Sequence, residues 1–242
     1  MIYIILYAVL FIAVNVLNVF FVNAQRNGPT YKSLALKMAA ATGYMLTGVI
    51  AMRLGNNNTR FAWWILLGLF LCWIGDLFLH LWQHKVLPAI GFLGFLSAHF
   101  VFIAAFLNKI KLLDPDRSFF SVPEIIFVAA FCGGFLLFSW LIGTSLKGAL
   151  KIPILLYAAV ITTMLCKAAI MGLTYKNAGM PDGALAAGFA IAGAALFVMS
   201  DFSIAILMFN EKYKKNYPLK MFNMVTYFLA VLLLSALPAL VK

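Results

Sequence analysis

Residues 61–82 read FAWWILLGLFLCWIGDLFLHLW, an apolar run that only two glycines, Asp76 and His80 interrupt. A helix needs roughly 20 apolar residues to cross the hydrocarbon core of a bilayer, so this run is long enough to span it. An ionisable side chain inside a spanning helix costs roughly 2.5–3.5 kcal/mol and usually faces the interior of the bundle. The run therefore predicts a transmembrane helix that carries a functional carboxylate, Asp76.

Further apolar runs of similar length lie on both sides of this one. The segments between them are short and rich in Gly, Pro, Asn and charged residues, which predicts turns. None of these segments is long enough to hold a soluble domain. The chain is therefore expected to be all-α, a polytopic membrane bundle of about eight transmembrane helices that forms a single transmembrane helical domain over residues 1–242. The other runs are 3–22, 32–52, 88–109, 121–142, 152–172, 183–209 and 219–240.

The composition supports the same fold class and excludes others. The chain is 65% hydrophobic and 10% charged, whereas a soluble domain carries about 25% charged residues. Its net charge of +11 comes from lysines and arginines scattered over short loops, so we expect no nucleic-acid partner. Three cysteines, Cys72, Cys132 and Cys166, lie inside apolar runs and show neither disulfide nor metal-site spacing.

The ionisable residues within the predicted spans indicate where chemistry can occur. Asp76 and Asp201 are the only acids well inside a span, about 9 Å and 12 Å from the ends of their runs at 1.5 Å per residue. Both runs are odd-numbered and so cross the membrane in the same direction, which puts both acids in the same leaflet. Polar residues of other runs approach that half of the membrane, which predicts a cavity open to one side. They include Asn15, Lys37, His99 and Tyr227.

The two acids also stand in similar local sequences. Gly68 precedes Asp76 by eight residues, and Gly193 precedes Asp201 by eight. The acids fall on the third and the seventh run. Two four-helix repeats would explain this echo, and so would the chance similarity of apolar helices.

Other interpretations of the same residues remain open. A buried aspartate can pair with a lysine only to stabilise packing. Asp76, His80, His84 and His99 are of the types that bind zinc, but His84 is next to Lys85 at the end of its run, so we favour an interfacial pair and expect neither a metal nor a cofactor. A proton-coupled transporter or a lipid-binding membrane protein would use the same acids as a proton relay.

A family resemblance rests on two segments. Residues 193–205, GAALFVMSDFSIA, resemble the Gly-Ala-x-x-Phe-x-x-Ser-Asp segment of the YhhN-type lysoplasmalogenase family, and residues 75–79, GDLFL, resemble its upstream Gly-Asp segment. The resemblance extends from the second run to the eighth. Phe102 stands where the family often has Tyr, and no proline follows Lys37 closely. Residues of the family's type also occur at Lys37, His99, Tyr157, Lys167, Thr226 and Tyr227.

The resemblance implies a hydrolase that cleaves the vinyl ether bond of lysoplasmalogens to a fatty aldehyde and a glycerophospho-ethanolamine or -choline. That reaction needs a proton donor and a carboxylate, so we expect Asp76 and Asp201 to form the catalytic pair. Lys37 and Lys167 are candidates to hold the substrate phosphate. The candidates to bind the substrate or to orient the acids or the water are His99, Tyr157, Tyr227 and Asn15.

The expected partners are a lysophospholipid substrate and membrane lipids, and the expected location is a bacterial inner membrane rather than the endoplasmic reticulum. Lys and Arg are slightly more numerous on the side of the two acids. Because cytoplasmic loops carry an excess of these residues, we expect the acid-bearing side to face the cytoplasm and both termini to lie outside.

Overall fold

The structure, a computed structural model, describes residues 2–26, 28–56, 59–81, 86–141 and 148–242. The chain is 86% helical. The described residues form eight helices, each long and apolar enough to cross a membrane. The predicted all-α bundle is therefore confirmed, and the chain is an integral, multi-pass membrane protein. The helices are α1 Ile2–Ala24, α2 Tyr31–Leu54, α3 Arg60–His80, α4 Leu87–Leu113, α5 Val122–Leu141, α6 Gly148–Asn177, α7 Gly183–Phe209 and α8 Tyr217–Leu240.

Polar residues at the loop ends start several helices. Thr30 and Ser33 form a capping box at the start of α2, in which each side chain bonds to the other residue's backbone N–H. The side chain of Asn216 accepts a hydrogen bond from the backbone N–H of Leu219 at the start of α8. Such caps satisfy backbone N–H groups that the first helical turn leaves free. They place the helix starts at the membrane surface, where the sequence places its turns.

Small residues let α3 and α4 pack closely on the acid-bearing side. A Cβ atom on Gly91 of α4 would lie 2.7 Å from the backbone nitrogen of Leu79, and one on Gly94 would lie 3.1 Å from that of Gly75. Within a membrane, where lipid and side chains are equally apolar, such close backbone approach is a main source of helix association. The glycines therefore hold α3 against α4 next to Asp76.

Part of the helix packing repeats after four helices, although α8 also packs on α1 and α3 where the described residues show no comparable packing of α4 on α5 and α7. α3 packs on α4 as α7 packs on α8, and α2 packs on α8 as α6 packs on α4. This is the arrangement that two four-helix repeats produce. Asp76 on α3 and Asp201 on α7 occupy equivalent helices in it.

The helices differ in how deeply they are buried. α8 is central, because it contacts α1, α2, α3 and α7. α5 is peripheral, since its main helix–helix contact is with α6 and most of its apolar side chains are exposed. These side chains face the region that lipid would occupy. The site described next lies among the inner helices.

Candidate functional site

Asp76 is the centre of a fully buried polar cluster. Its carboxylate forms an ion pair with Lys37, with 3.0 Å between Nζ and Oδ1. The hydroxyls of Tyr44 and Tyr227 both donate to Oδ2, at 2.9 Å and 2.6 Å. Asp76 is 1% exposed and Lys37 is 4% exposed. Both carboxylate oxygens therefore have donors, and Lys37 provides a positive charge beside them.

Three helices bring this cluster together. Lys37 and Tyr44 are seven residues apart on α2, which puts them two turns apart on one face. Lys37 also donates to the backbone carbonyl of Asp76, at 3.1 Å. Tyr227 comes from α8, and its hydroxyl lies 3.4 Å from that of Tyr44. The position of Asp76 thus depends on the packing of α2 and α8 around α3.

Asp201 has a different environment, although it lies on the equivalent helix. The hydroxyl of Tyr157 on α6 donates to Oδ2 at 2.6 Å. Nε2 of His99 on α4 lies 3.1 Å from the same oxygen and 3.1 Å from the Tyr157 hydroxyl. Asp201 is 13% exposed. Among the residues that the structure describes, its Oδ1 has no hydrogen-bond partner and no lysine or arginine forms an ion pair with it.

Met164 shows where the protons of this second cluster lie. Its sulfur is 3.3 Å from Nδ1 of His99, and a thioether can only accept a hydrogen bond. We therefore assign a hydrogen to Nδ1 from the hydrogen-bond network. Nε2 of His99 and Oδ2 of Asp201 then need one further proton between them, because the single hydroxyl proton of Tyr157 already goes to Oδ2. A hydrogen bond between Nε2 and Oδ2 therefore requires one proton, as in imidazolium with carboxylate or imidazole with carboxylic acid.

The two clusters face one cleft of about 340 Å³. Asp76, Lys37 and Tyr227 line it, and so do Asp201 and Tyr157. Its wall also carries Ser200 and Asn223, and the side-chain N–H₂ of Asn223 donates to the carbonyl and the hydroxyl of Ser200, at 2.7 Å and 3.0 Å.

Aromatic rings connect the two clusters. The ring of Phe197 contacts those of His99 and Tyr227 edge-on, with centroids 4.7 Å and 5.5 Å apart. Phe95 adds a similar contact with Tyr227, at 5.6 Å. Such rigid packing fixes the positions of the side chains that hold the two acids.

Most of the residues predicted from the sequence come together here, but two do not. Asn15 donates to the carbonyl of Phe11 in its own helix, at 2.7 Å, and does not line the cleft. Lys167 forms an ion pair with Glu124 at the start of α5, in the opposite half of the bundle, because α5 begins on the side away from the two acids. Lys167 is therefore unavailable to a substrate phosphate near Asp201. The residues that do meet are Asp76, Asp201, Lys37, His99, Tyr157 and Tyr227.

Two residues of these clusters, Tyr44 and Met164, were not predicted, and neither was the role of Glu124 outside them. Tyr44 and Met164 lie seven residues after Lys37 and Tyr157 respectively, a spacing that would have placed them on the same helix faces. Glu124, at the start of α5, is 6% exposed and buried against Lys167. The intramembrane position of Lys167 was a signal for it, because a buried lysine needs a counter-charge.

The described residues include no group of three or more His, Cys, Asp or Glu side chains placed to hold a metal ion. Nε2 of His80 lies 3.1 Å from the hydroxyl of Ser33. His84, which belongs to the metal-binding alternative, lies outside the described residues.

The fold and the site together define a polytopic helical membrane protein with two carboxylates held on equivalent helices around one cleft. The model of the YhhN family matches residues 33–237, so the chain belongs to the YhhN family, as its Ser-Asp and Gly-Asp segments predicted. No curated protein and no solved structure matches the chain.

Proposed function

We propose that this chain is a lysoplasmalogenase-like hydrolase that cleaves the vinyl ether bond of lysoplasmalogens. Membership of the YhhN family is consistent with such an activity. The observation that supports the proposal is that the two acids have different hydrogen-bond and ion-pair partners. Asp76 is paired with a lysine and bound by two phenols, whereas Asp201 lies 3.1 Å from Nε2 of His99 and has no lysine or arginine partner among the described residues. Acid-catalysed vinyl ether hydrolysis needs this combination of a fixed anion and a mobile proton.

In the proposed reaction, Asp201 and His99 supply the proton. It goes to the vinyl carbon that does not carry oxygen, where the electrons of the double bond form the new C–H bond. The neighbouring carbon and the ether oxygen then share a positive charge as an oxocarbenium ion. Asp76, as a fixed anion in the same cleft, stabilises that charge. General acid catalysis of this kind typically contributes roughly 10²–10⁴ in rate.

The second half of the reaction returns the proton. Water adds to the cationic carbon and loses a proton to the Asp201–His99 pair, which gives a hemiacetal. The hemiacetal collapses when its C–O bond to glycerol breaks: its hydroxyl loses a proton and becomes the aldehyde carbonyl, and the glycerol oxygen takes up a proton, so that no net proton is consumed. The products are a fatty aldehyde and a glycerophospho-alcohol, and the enzyme regains its starting state. The assignment of Asp201 as proton donor and Asp76 as anion is the same division of roles that paired carboxylates have in glycosidases.

The proposal is tested by aldehyde release from lysoplasmalogen, with the saturated alkyl ether analogue as control substrate. Asp201→Asn keeps the size of the side chain but removes the transferable proton, so we expect a loss of roughly 10²–10⁴ in kcat in a protein that still elutes as a single species. Wild-type aldehyde release by this variant, or cleavage of the saturated analogue, would contradict the proposed chemistry. Activity abolished by EDTA would favour the metal-dependent alternative.

The shared proton also favours one second candidate, a proton-coupled transporter. An intramembrane carboxylate that exchanges a proton with a histidine is typical of proton relays. Reconstituted vesicles separate the two functions. Proton-coupled flux across the vesicle membrane, together with no aldehyde from lysoplasmalogen, would favour transport over hydrolysis.

A further inference from the structure

We propose that the groove between α5, α6 and α7 binds the aliphatic chain of a single-chain lipid and presents its polar end to Asp201. The inference rests on the proposed function and deepens it, because it names the part of the site that holds the alkenyl chain. The groove is open on one side and has about 320 Å³ of empty space, part of which lies outside its walls. Apart from Tyr157 and Asp201, all of its described lining residues are apolar, among them Phe131, Phe135, Ala158, Ile161, Phe202 and Ala205.

The main support for this inference is that the groove joins the polar cleft. The two cavities have two lining residues in common, Tyr157 and Asp201. The cleft offers Lys37, Ser200 and Asn223, whereas the described lining of the groove offers no polar side chain beyond the shared two. A molecule that occupies both must be polar at one end and aliphatic at the other. The junction between the polar and the aliphatic part of this molecule then lies against the carboxylate of Asp201.

The dimensions and direction of the groove fit such a chain. Its lining runs from residue 154 to 161 on α6 and from 198 to 205 on α7, which is about 10 Å, or two helical turns, on each helix. Asp201 lies near the middle of the second range. From there the groove continues along Ile161 and Val198 towards the middle of the membrane. A chain bound there lies parallel to the lipid tails from which it came.

The peripheral position of α5 provides an entry route from the bilayer. Near its start, α5 is fixed to α6 by the Glu124–Lys167 ion pair. Further along, its contact with α7 consists of rings, since Phe135 and Phe138 pack on Phe202 with centroids 5.5 Å and 5.1 Å apart. We expect rotation of these rings to open the groove to the side while the ion pair stays in place. The lipid can thus enter laterally.

The first test uses substitutions that fill the groove. Ala158→Leu and Ala205→Leu add a bulky group to its α6 and α7 walls, and Ala130→Leu on the exposed face of α5 is the matched control. We expect either groove variant to raise KM for a long-chain lysoplasmalogen about tenfold relative to a short-chain one, as methylene-sized changes in apolar pockets do. The control should leave that ratio unchanged. An unchanged ratio in both groove variants, with the thermal stability of the wild type, would overturn the inference.

The second test needs no enzymatic activity. A saturated lysophosphatidylethanolamine with a diazirine in the middle of its chain is irradiated with the purified protein, and the labelled peptides are identified by mass spectrometry. We expect labels within residues 131–135, 154–161 and 198–205, and their loss in Ala158→Leu or Ala205→Leu but not in Ala130→Leu. Labels in the groove without aldehyde release would uphold the chain site and refute the vinyl ether reaction. Labels confined to exposed faces of the helices would overturn the groove, whatever the activity.

Discussion

The ion pair between Lys37 and Asp76 makes a quantitative prediction. Replacing Lys37 by Met keeps much of the side chain's length and removes its charge. At the observed 3.0 Å, two unit charges attract each other by about 5.5 kcal/mol at an effective dielectric constant of 20. Because Asp76 is 1% exposed, it would then stay buried without its cation. Breaking a buried pair in this way costs about 3–5 kcal/mol, so we expect Lys37→Met to lose that much stability.

The double variant Lys37→Met/Asp76→Asn separates structure from catalysis. The asparagine introduced at position 76 has no charge to compensate and still accepts hydrogen bonds from Tyr44 and Tyr227. Most of the lost stability should therefore return, since neutralising both members of a buried pair is often nearly neutral. Aldehyde release should not return, because the fixed anion is gone. Recovered stability without recovered aldehyde release would show that the ion pair positions Asp76 for the reaction and does not only stabilise packing.

The measurement is unfolding in lipid–detergent micelles, followed by circular dichroism, with aldehyde release assayed on the same samples. Lys32→Met is the matched control, because Lys32 is exposed on the same helix, and surface substitutions usually change stability by about 0.5 kcal/mol or less. If Lys37→Met proves as stable as Lys32→Met, the reasoning about the buried pair is wrong. A double variant with wild-type activity would remove Asp76 from the mechanism.

Three further predictions concern other parts of the molecule. Tyr157→Phe removes the 2.6 Å hydrogen bond to Asp201, the carboxylate that we propose as the proton donor. A hydrogen bond to a charged group is worth about 1.5–3 kcal/mol, so kcat should fall roughly 10- to 100-fold. An unchanged kcat would argue against the role of Tyr157. Gly91→Ala places a Cβ atom 2.7 Å from the α3 backbone, so it should lower the free energy of unfolding by about 1–3 kcal/mol. A Cβ atom on Gly188 meets open space, so Gly188→Ala, the control, should not destabilise the protein. Lys167→Met should lower the free energy of unfolding by about 3–5 kcal/mol, because it leaves Glu124 buried and unpaired. The double variant Lys167→Met/Glu124→Gln should recover most of that stability and keep the wild-type kcat. A large fall in the kcat of the stable double variant would return Lys167 to the catalytic site.

The eight helices were predictable because a bilayer leaves the chain few choices. Without water, backbone N–H and C=O groups must bond within the segment, so each apolar run of sufficient length becomes a helix. Asp76 and Asp201 were predictable for a related reason. An acid within such a run is costly, and its presence marks a site before any contact is known. Because α3 and α7 cross the membrane in the same direction, the sequence also placed both acids in the same leaflet.

The partners of the two acids were only partly predictable. In a soluble protein, a polar face shows which side of a helix is buried, but in a membrane both lipid and protein are apolar. The seven-residue spacing puts Tyr44 on the helix face of Lys37 and Met164 on that of Tyr157, but it does not show which atoms of the site they contact. For the same reason Lys167 was grouped with Lys37, although the packing of α5 on α6 pairs it with Glu124 in the other half of the bundle.

The sequence by itself therefore determined the fold class, the eight spans and the two acids, since these follow from the cost of placing polar groups in hydrocarbon. The tertiary structure alone decided which side chains surround each acid. That difference arises where helices from both halves meet, with Lys37, Tyr44 and Tyr227 around Asp76, and Tyr157 and His99 around Asp201. Hydrogen-bond partners of this kind are set by distances between helices, which no single helix encodes.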